Sequence, residues 1–333
     1  MGGRVPALPA RTRGGVDTAS RGGYSPIVRA TGRVQGPRLL WAAVTLSALC
    51  LGSCSSPSPP RETPPAPIVL AGAENLVPLL RGEIRAFRDR YPEAAEIRII
   101  PNGSAEGMEQ LVNSEVTMSV LTRELTDPEI KAAMQREGLN AIGFAWDAVA
   151  VIVNSRSPVQ QISRTELGQI YRGDLREWSR LGFRQGGAIV PLTTGPKLGL
   201  YEFIQQALLE GAPYGSGVYA EKSEAEIVDI VASRIDAIGC VSGGFVDARV
   251  RALQVSPAKG LPYITLDRET TMLKTYPLMR GLSLCTRSAN PPGTATDFIN
   301  FLTSVDGQQV VTRFGYAPAT VSVHVVRTAE EAQ

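Results

Sequence analysis

Residues 68–136 repeat one pattern three times: a short apolar run, a polar loop, and apolar residues at helical spacing. In the first cycle the apolar run begins at Ile68, and apolar residues from Leu76 to Phe87 then recur every three or four positions. Strands that alternate with helices pair in parallel, because each helix carries the chain back to the starting edge of the sheet. The repeat predicts an α/β fold, with Asn75 and Asp127 as caps of the first and third helices.

A different pattern occupies residues 141–153, which form one extended, almost wholly apolar run. This run is longer than an ordinary strand, so we expect it to connect two lobes. Two further strand–helix units follow at 189–209 and 223–241, and a last strand is predicted at 280–286. Helices are predicted at 296–303 and 307–314.

The first 66 residues predict export and anchoring. Arg38 precedes the apolar run 39–51, and small residues lead to Cys54, which is typical of a secretory signal peptide over residues 1–53. The string Leu-Gly-Ser-Cys at 51–54 resembles the lipobox of bacterial lipoproteins, which implies that Cys54 carries lipid. A plain signal peptide with an incidental Cys54 is the alternative. Residues 54–66 are rich in proline and predict an extended tether.

Charge and composition narrow the function further. Residues 1–53 carry seven arginines and one aspartate, so the chain from Cys54 onward holds 27 basic and 31 acidic residues. This mildly acidic balance argues against a nucleic-acid partner. A single histidine, His324, and four cysteines without a CxxC pair offer no ligand set for a metal, and no cofactor motif occurs. We therefore expect neither an enzyme nor a cofactor. No disulfide between Cys240 and Cys285 is expected.

Five ordered segments resemble the phosphate-binding periplasmic protein family: 146–154, 167–178, 236–242, 276–280 and 298–308. The strings Ile-Tyr-x-Gly-x-x-x-x-Trp at 170–178 and Tyr-Pro-Leu-x-Arg at 276–280 are the most specific. The resemblance implies a two-lobed type II periplasmic-binding fold, with mixed, mainly parallel sheets flanked by helices and two hinge crossings. It assigns 67–148 and 276–320 to lobe 1, 149–275 to lobe 2 and 321–333 to a loose tail.

The resemblance also implies a function. The chain is expected to be a monomeric, lipid-anchored protein on the periplasmic side, holding a phosphate-like oxyanion between its lobes. Its partners would be that anion, the membrane through the lipid on Cys54, and an ABC permease or membrane sensor. The alternative is a lipoprotein of the same fold that has lost phosphate binding and serves as an envelope interaction or sensing protein.

The family's ligand loops can be carried over residue by residue, although several positions differ. The implied ligand-binding residues lie on four loops and the first hinge crossing: Asn75, Ser104, Ala105, Thr122, Arg123, Asp147, Thr194, Gly195 and Lys197. Glu74 stands where the family has a hydroxyl, and the fourth loop lacks the family's arginine. These differences motivate the alternative function.

The roles of the charged loop residues are open at this point. Glu74 either faces solvent or excludes phosphate by repulsion. Arg123 either forms a salt bridge or supplies charge to the cleft, and Lys197 either replaces the missing arginine or is solvated. Asp147 accepts either a ligand proton or hinge hydrogen bonds. With Arg123 and Lys197 set against Glu74, we expect about one net positive charge in the cleft.

Overall fold

The computed structural model describes residues 66–134, 139–287, 291 and 293–319. The helices in this part of the chain are α1 (Val77–Arg90), α2 (Ser104–Val112), α3 (Asp127–Met134), α4 (Arg164–Arg172), α5 (Gly199–Leu209), α6 (Glu224–Ser233), α7 (Arg268–Met272), α8 (Thr294–Thr303) and α9 (Val305–Arg313). Short 3-10 helices occur at Glu74–Leu76, Trp178–Leu181 and Gly243–Phe245. None of the described helices is long and apolar enough to cross a membrane.

The strands are β1 (Ile68–Gly72), β2 (Ile97–Ile100), β3 (Met118–Leu121), β4 (Asn140–Asn154), β5 (Gln161–Ser163), β6 (Val190–Thr194), β7 (Tyr219–Glu221), β8 (Ala237–Ser242), β9 (Val250–Ala252), β10 (Gln254–Ser256), β11 (Met279–Thr286) and β12 (Ala317–Pro318). Ten of them form one sheet in the order β2-β1-β3-β11-β4-β8-β6-β7, with β9 and β12 also paired to β4. Strands β5 and β10 form a separate parallel pair.

The strand β4 belongs to both lobes. Its residues up to Ala148 pair antiparallel with β11, and its residues from Val149 onward pair antiparallel with β8. Strands β1 to β3 are mutually parallel on one side of this crossing, and β6 to β8 are parallel on the other. The long apolar run 141–153 is therefore one strand, and β11 provides the second crossing. This architecture confirms the two-lobed fold.

Burial explains why that run is apolar at every position in its second half. Val149, Val151 and Val153 contribute to one hydrophobic core of lobe 2, whereas Ala150 and Ile152 contribute to the core on the opposite face of the sheet. A strand covered by helices on both faces has no solvent-facing side, so it does not alternate with polar residues.

Lobe 1 has its own core, formed where α1, α8 and α9 cover one face of the sheet. Phe87 of α1 lies edge-on to Phe298 and Phe301 of α8, with ring centroids 5.2 and 5.6 Å apart. Such contacts stabilise a core beyond the area that they bury. The apolar spacing read from the sequence therefore marks the buried face of α1, as predicted.

The predicted strand and helix positions are confirmed to within a few residues, but the two predicted caps are wrong. Ala73 adopts a left-handed backbone (φ 37°), and a 3-10 turn over Glu74–Leu76 precedes α1. Asn75 therefore lies inside that turn and is free to bond elsewhere. Asp127 is the first residue of α3 rather than its cap. The predicted signal peptide, Cys54 and the tail from 321 lie outside the described residues.

Candidate ligand-binding cleft

Two hydroxyl groups meet where the strands of lobe 1 end. Ser104 opens α2 after β2, and Thr122 follows β3 directly. The backbone N–H of Thr122 donates to Ser104 Oγ at 3.2 Å, and the two hydroxyl oxygens are 3.4 Å apart. Both side chains are buried. The carboxyl ends of parallel strands share one edge of the sheet, so the topology brings these two loops together.

The turn between β6 and α5 of lobe 2 lies next to the hydroxyl groups of Ser104 and Thr122. Within this turn Leu198 N–H donates to the carbonyl of Gly195 at 3.0 Å, and α5 begins at Gly199. Thr194, at the end of β6, is fully buried, and its hydroxyl has no hydrogen-bond partner among the described residues. Lys197 is exposed, which favours the solvated alternative for its side chain.

The two lobes are in direct contact at these loops. A Cβ atom added to Gly199 would overlap both Thr122 Oγ1 and Ser104 Oγ. A Cβ atom added to Gly103 would overlap the carbonyl oxygen of Lys197. Only glycine allows the backbones to approach this closely. The structure thus brings together Ser104, Thr122 and the 194–199 loop, with Ala105 half-buried in the first turn of α2.

Arg123 bridges the lobes through salt bridges. Its guanidinium donates to Glu129 at 2.7 and 2.8 Å, to the carbonyl of Glu124 at 2.8 Å, and to Glu202 of α5. Burial alone would lower the pKa of Arg123, but Glu129 and Glu202 hold it above its ordinary value. Two carboxylates therefore neutralise this charge, as the salt-bridge alternative anticipated.

A second polar network lies at the hinge. Arg280 of β11 donates from Nε to Asp147 Oδ2 of β4 at 2.8 Å, and Ser242 donates from its hydroxyl to Asp147 Oδ1 at 2.7 Å. Both oxygens of Asp147 are therefore occupied by hinge hydrogen bonds. The side chains of Arg280 and Asp147 are 0% and 2% exposed, so their ion pair is almost wholly shielded from water.

Glu224 extends this network to the other lobe. Its Oε1 accepts from Asn75 Nδ2 at 2.9 Å and from Arg280 Nη2 at 3.2 Å. Its Oε2 accepts from the backbone N–H of Ser242 at 2.5 Å. Burial raises the pKa of Glu224, and Arg280 and the N–H of Ser242 oppose that rise. Asn75 therefore contacts a carboxylate of lobe 2.

Glu74 faces the same network instead of open solvent. Burial, followed by the negative charge of Glu224, raises the pKa of Glu74 to about 7. Its Oε2 is buried without a hydrogen-bond partner among the described residues, and the same holds for Nη1 of Arg280. The carboxyls of Glu74, Asp147 and Glu224 thus face one guanidinium. The expected net positive charge is wrong, because Lys197 is exposed and Arg123 is already paired.

Sequence reasoning missed Glu224, Ser242 and the role of Arg280. Arg280 was present as the last residue of the Tyr-Pro-Leu-x-Arg string, which gave its position but not its partners. Glu224 follows Ser223, which caps α6, and an acidic residue there ordinarily indicates only a favourable helix start. Its contacts to Asn75 and Arg280 span 149 and 56 residues, so no local pattern reveals them.

Comparisons with known proteins agree with this two-lobed architecture. The signature of the PBP superfamily domain matches residues 56–306. The chain is 24% identical over 268 residues to the phosphate-binding protein PstS of Pseudomonas aeruginosa, covering 76% of this chain and 83% of that protein. It is 25% identical over 299 residues to the phosphate-binding protein PstS of Bacillus subtilis, covering 85% and 93%. Both relatives are named as phosphate-binding proteins, which agrees with the prediction of a binding protein.

Solved structures show the fold. A putative phosphate ABC transporter substrate-binding protein with bound phosphate from Clostridium perfringens superposes with a TM-score of 0.68 at 22% identity, covering 77% of this chain and 100% of that chain. An ABC-type phosphate transport receptor from Vibrio cholerae superposes with a TM-score of 0.63 at 22% identity, covering 75% and 99%. With a superfamily signature over most of its length and this two-lobed fold, the chain belongs to the PBP superfamily.

Proposed function

We propose that the protein is a lipid-anchored, extracytoplasmic solute-binding protein that holds a small, phosphate-like oxyanion between its two lobes. The observation that carries this proposal is the meeting of Ser104 and Thr122 of lobe 1 with the 194–199 loop of lobe 2. The relatives named as phosphate-binding proteins support the same class of solute.

The chemistry of this meeting point suits an anion. Helix α2 begins at Ser104 and helix α5 begins at Gly199, so two helix N-termini converge where these residues touch. Each N-terminus carries partial positive charge and unpaired N–H donors, which favour anions. The buried hydroxyl of Thr194 adds a donor without a partner among the described residues. We propose Ser104, Ala105, Thr122, Thr194 and Gly195 as the ligand-facing set.

The acidic groups nearby make us expect weak binding. The carboxyls of Glu74, Asp147 and Glu224 lie near one another, and Arg280 is the cation that pairs with Asp147 and Glu224. Two unit negative charges repel each other by roughly 4 kcal/mol at 4 Å and an intermediate dielectric, and a dianion is repelled by a carboxylate about twice as strongly. A singly charged oxyanion is therefore favoured over a dianion.

Anchoring rests on the sequence around Cys54. Acylation of this cysteine would hold the soluble lobes at the membrane, where an ABC permease or a membrane sensor is reached, because each buried methylene of an acyl chain contributes about 0.8 kcal/mol. Replacement of Cys54 by Ala is expected to release the protein from the membrane fraction and to abolish acyl labelling. Continued recovery in membranes would contradict the anchor and leave solute binding unaffected.

A second function is favoured by one observation, the direct bonding between the lobes. Asn75 bonds to Glu224 and Arg123 bonds to Glu202, so side chains of the protein itself join the two sides of the cleft. A lipoprotein of this kind, without a small ligand, would act through protein contacts in the envelope. This is the alternative that the altered loops suggested.

Calorimetry of the purified protein against phosphate, sulfate, molybdate and organic acids separates the two functions. We expect the Kd of the unmodified protein for phosphate to be micromolar or weaker. Ser104→Ala and Thr194→Ala are each expected to weaken phosphate binding at least about tenfold, since each removes a buried donor to a charged group. Ser233→Ala, an exposed serine of α6, is the matched control. Absence of heat with every oxyanion would exclude the receptor and leave the second function.

A further inference from the structure

Glu224 receives a set of donors that is typical of a bound oxyanion. Amide, guanidinium and backbone N–H groups all point at its two carboxylate oxygens, from Asn75, Arg280 and Ser242. Each of these groups is a donor only, so the ionised carboxylate is the form that fits them. Its side chain is 1% exposed, which leaves these contacts shielded from competing water.

The three donors come from three parts of the molecule. Asn75 belongs to the first loop of lobe 1, Ser242 ends β8 of lobe 2, and Arg280 lies on the second crossing between the lobes. A group bonded to all three holds the lobes together. In a solute-binding protein this joining is the task of the ligand, since closure is stabilised by whatever binds both lobes at once.

We propose that Glu224 is an intramolecular competitor for the solute: its carboxylate joins the two lobes in place of an anion and sets how tightly an anion can bind. The inference rests on the proposed function, because it assumes that the solute enters the same crevice. The fixed carboxylate is tethered to α6 and is present at high effective concentration. An anion must therefore displace Glu224 from Asn75 and Arg280 or remain beside it at a cost in repulsion.

Two substitutions test the contact from opposite sides. Glu224→Gln keeps the shape of the side chain and removes its charge, and Asn75→Ala removes only the donor of lobe 1. One hydrogen bond to a charged group corresponds to a shift of roughly tenfold or more in the ratio of open to closed molecules. Asp229→Asn, an exposed acid of the same helix, is the matched control. Circular dichroism establishes that each variant is folded.

Small-angle X-ray scattering at pH 7.5, with and without inorganic phosphate, reports lobe closure, and calorimetry on the same samples reports binding. We expect the unmodified protein and Asp229→Asn to keep one radius of gyration with or without phosphate. Without phosphate, Asn75→Ala and Glu224→Gln are expected to have a larger radius of gyration than the unmodified protein. Glu224→Gln is also expected to bind phosphate about tenfold more tightly than the unmodified protein. Should Glu224→Gln not fold, Asn75→Ala decides the outcome.

The two proposals fail in different ways. If the unmodified protein contracts on adding phosphate and the variants match it, the competitor role of Glu224 is wrong while solute binding stands. If the variants expand but no protein binds any oxyanion, Glu224 joins the lobes as proposed and the receptor function is wrong.

Discussion

Two buried glutamates, Glu83 and Glu224, occupy opposite environments in this protein. Glu83 lies on the inner face of α1 in lobe 1, and neither of its carboxyl oxygens has a hydrogen-bond partner among the described residues. Glu224 lies between the lobes and accepts three hydrogen bonds, one of them from Arg280. Burial raises the pKa of Glu83 to about 8. Burial raises the pKa of Glu224 as well, but there Arg280 and the N–H of Ser242 oppose the rise, whereas no described residue opposes it at Glu83.

The largest change in folding stability is expected from removing Arg280, the cation that pairs with Glu224. Arg280→Met leaves the carboxylates of Asp147 and Glu224 buried without their shared guanidinium. Breaking a buried ion pair from one side typically costs about 3–5 kcal/mol. Urea unfolding of this variant is expected to show a loss of that size. A loss below about 1 kcal/mol would mean that water or protons compensate the network.

Removing the isolated carboxyl is expected to act in the opposite direction. The folded pKa of Glu83 is raised from 4.5 to about 8, so the stabilisation present below pH 4.5 is lost as the pH rises towards 8. Glu83→Gln removes this dependence. At pH 8 its free energy of unfolding should exceed that of the unmodified protein by on the order of 3 kcal/mol, and at pH 4.5 the two should agree. Parallel urea titrations at both pH values measure this difference. Equal stabilities at pH 8 would show that Glu83 has partners in solution.

A smaller effect, on the pH dependence of phosphate binding, is expected at Glu74. The environment of this carboxyl is intermediate between those of Glu83 and Glu224. With a pKa of about 7, this carboxyl is mostly neutral at pH 6 and mostly charged at pH 8.5. Phosphate binding should therefore weaken by about tenfold more between these pH values in the unmodified protein than in Glu74→Gln. Calorimetry of both proteins cancels the ionisation of phosphate itself. Identical pH profiles would place the anion away from Glu74.

The smallest effect is expected at a surface pair. Arg234 bonds to Asp236 at 2.7 Å, but the two side chains are 51% and 30% exposed. Such pairs contribute about 0.2–1 kcal/mol, and salt screens them. Arg234→Ala should fall within that range in urea unfolding and lose its effect at high salt. A larger, salt-independent loss would require a role for this pair beyond charge.

The sequence predicted the fold well because its signals are local. The apolar run 141–153 and the helical spacing from Leu76 to Phe87 identify strand β4 and the buried face of α1 from neighbouring residues alone. The hydroxyls of Ser104 and Thr122 could likewise be placed, because loops after parallel strands meet at one sheet edge.

The charge network of the cleft could not be predicted for the converse reason. Asn75 looked like a helix cap, and only the left-handed backbone of Ala73 and the following 3-10 turn direct it elsewhere. Its partner Glu224 lies 149 residues away. Residue types at such separation are compatible with many pairings, so the charge balance around these loops was misjudged.

The shared strand β4 has a consequence for the order in which the molecule can be assembled. Strand β11 completes the lobe 1 sheet by pairing with both β3 and β4, yet it is separated from β3 by more than 150 residues of chain. Loop closure over such a distance is entropically slow, whereas β6, β7 and β8 with their helices pair within a continuous stretch. The intervening lobe can therefore fold first. Lobe 1, although its first strands are made earlier, keeps an unpaired strand edge until residues 279–286 pair with it.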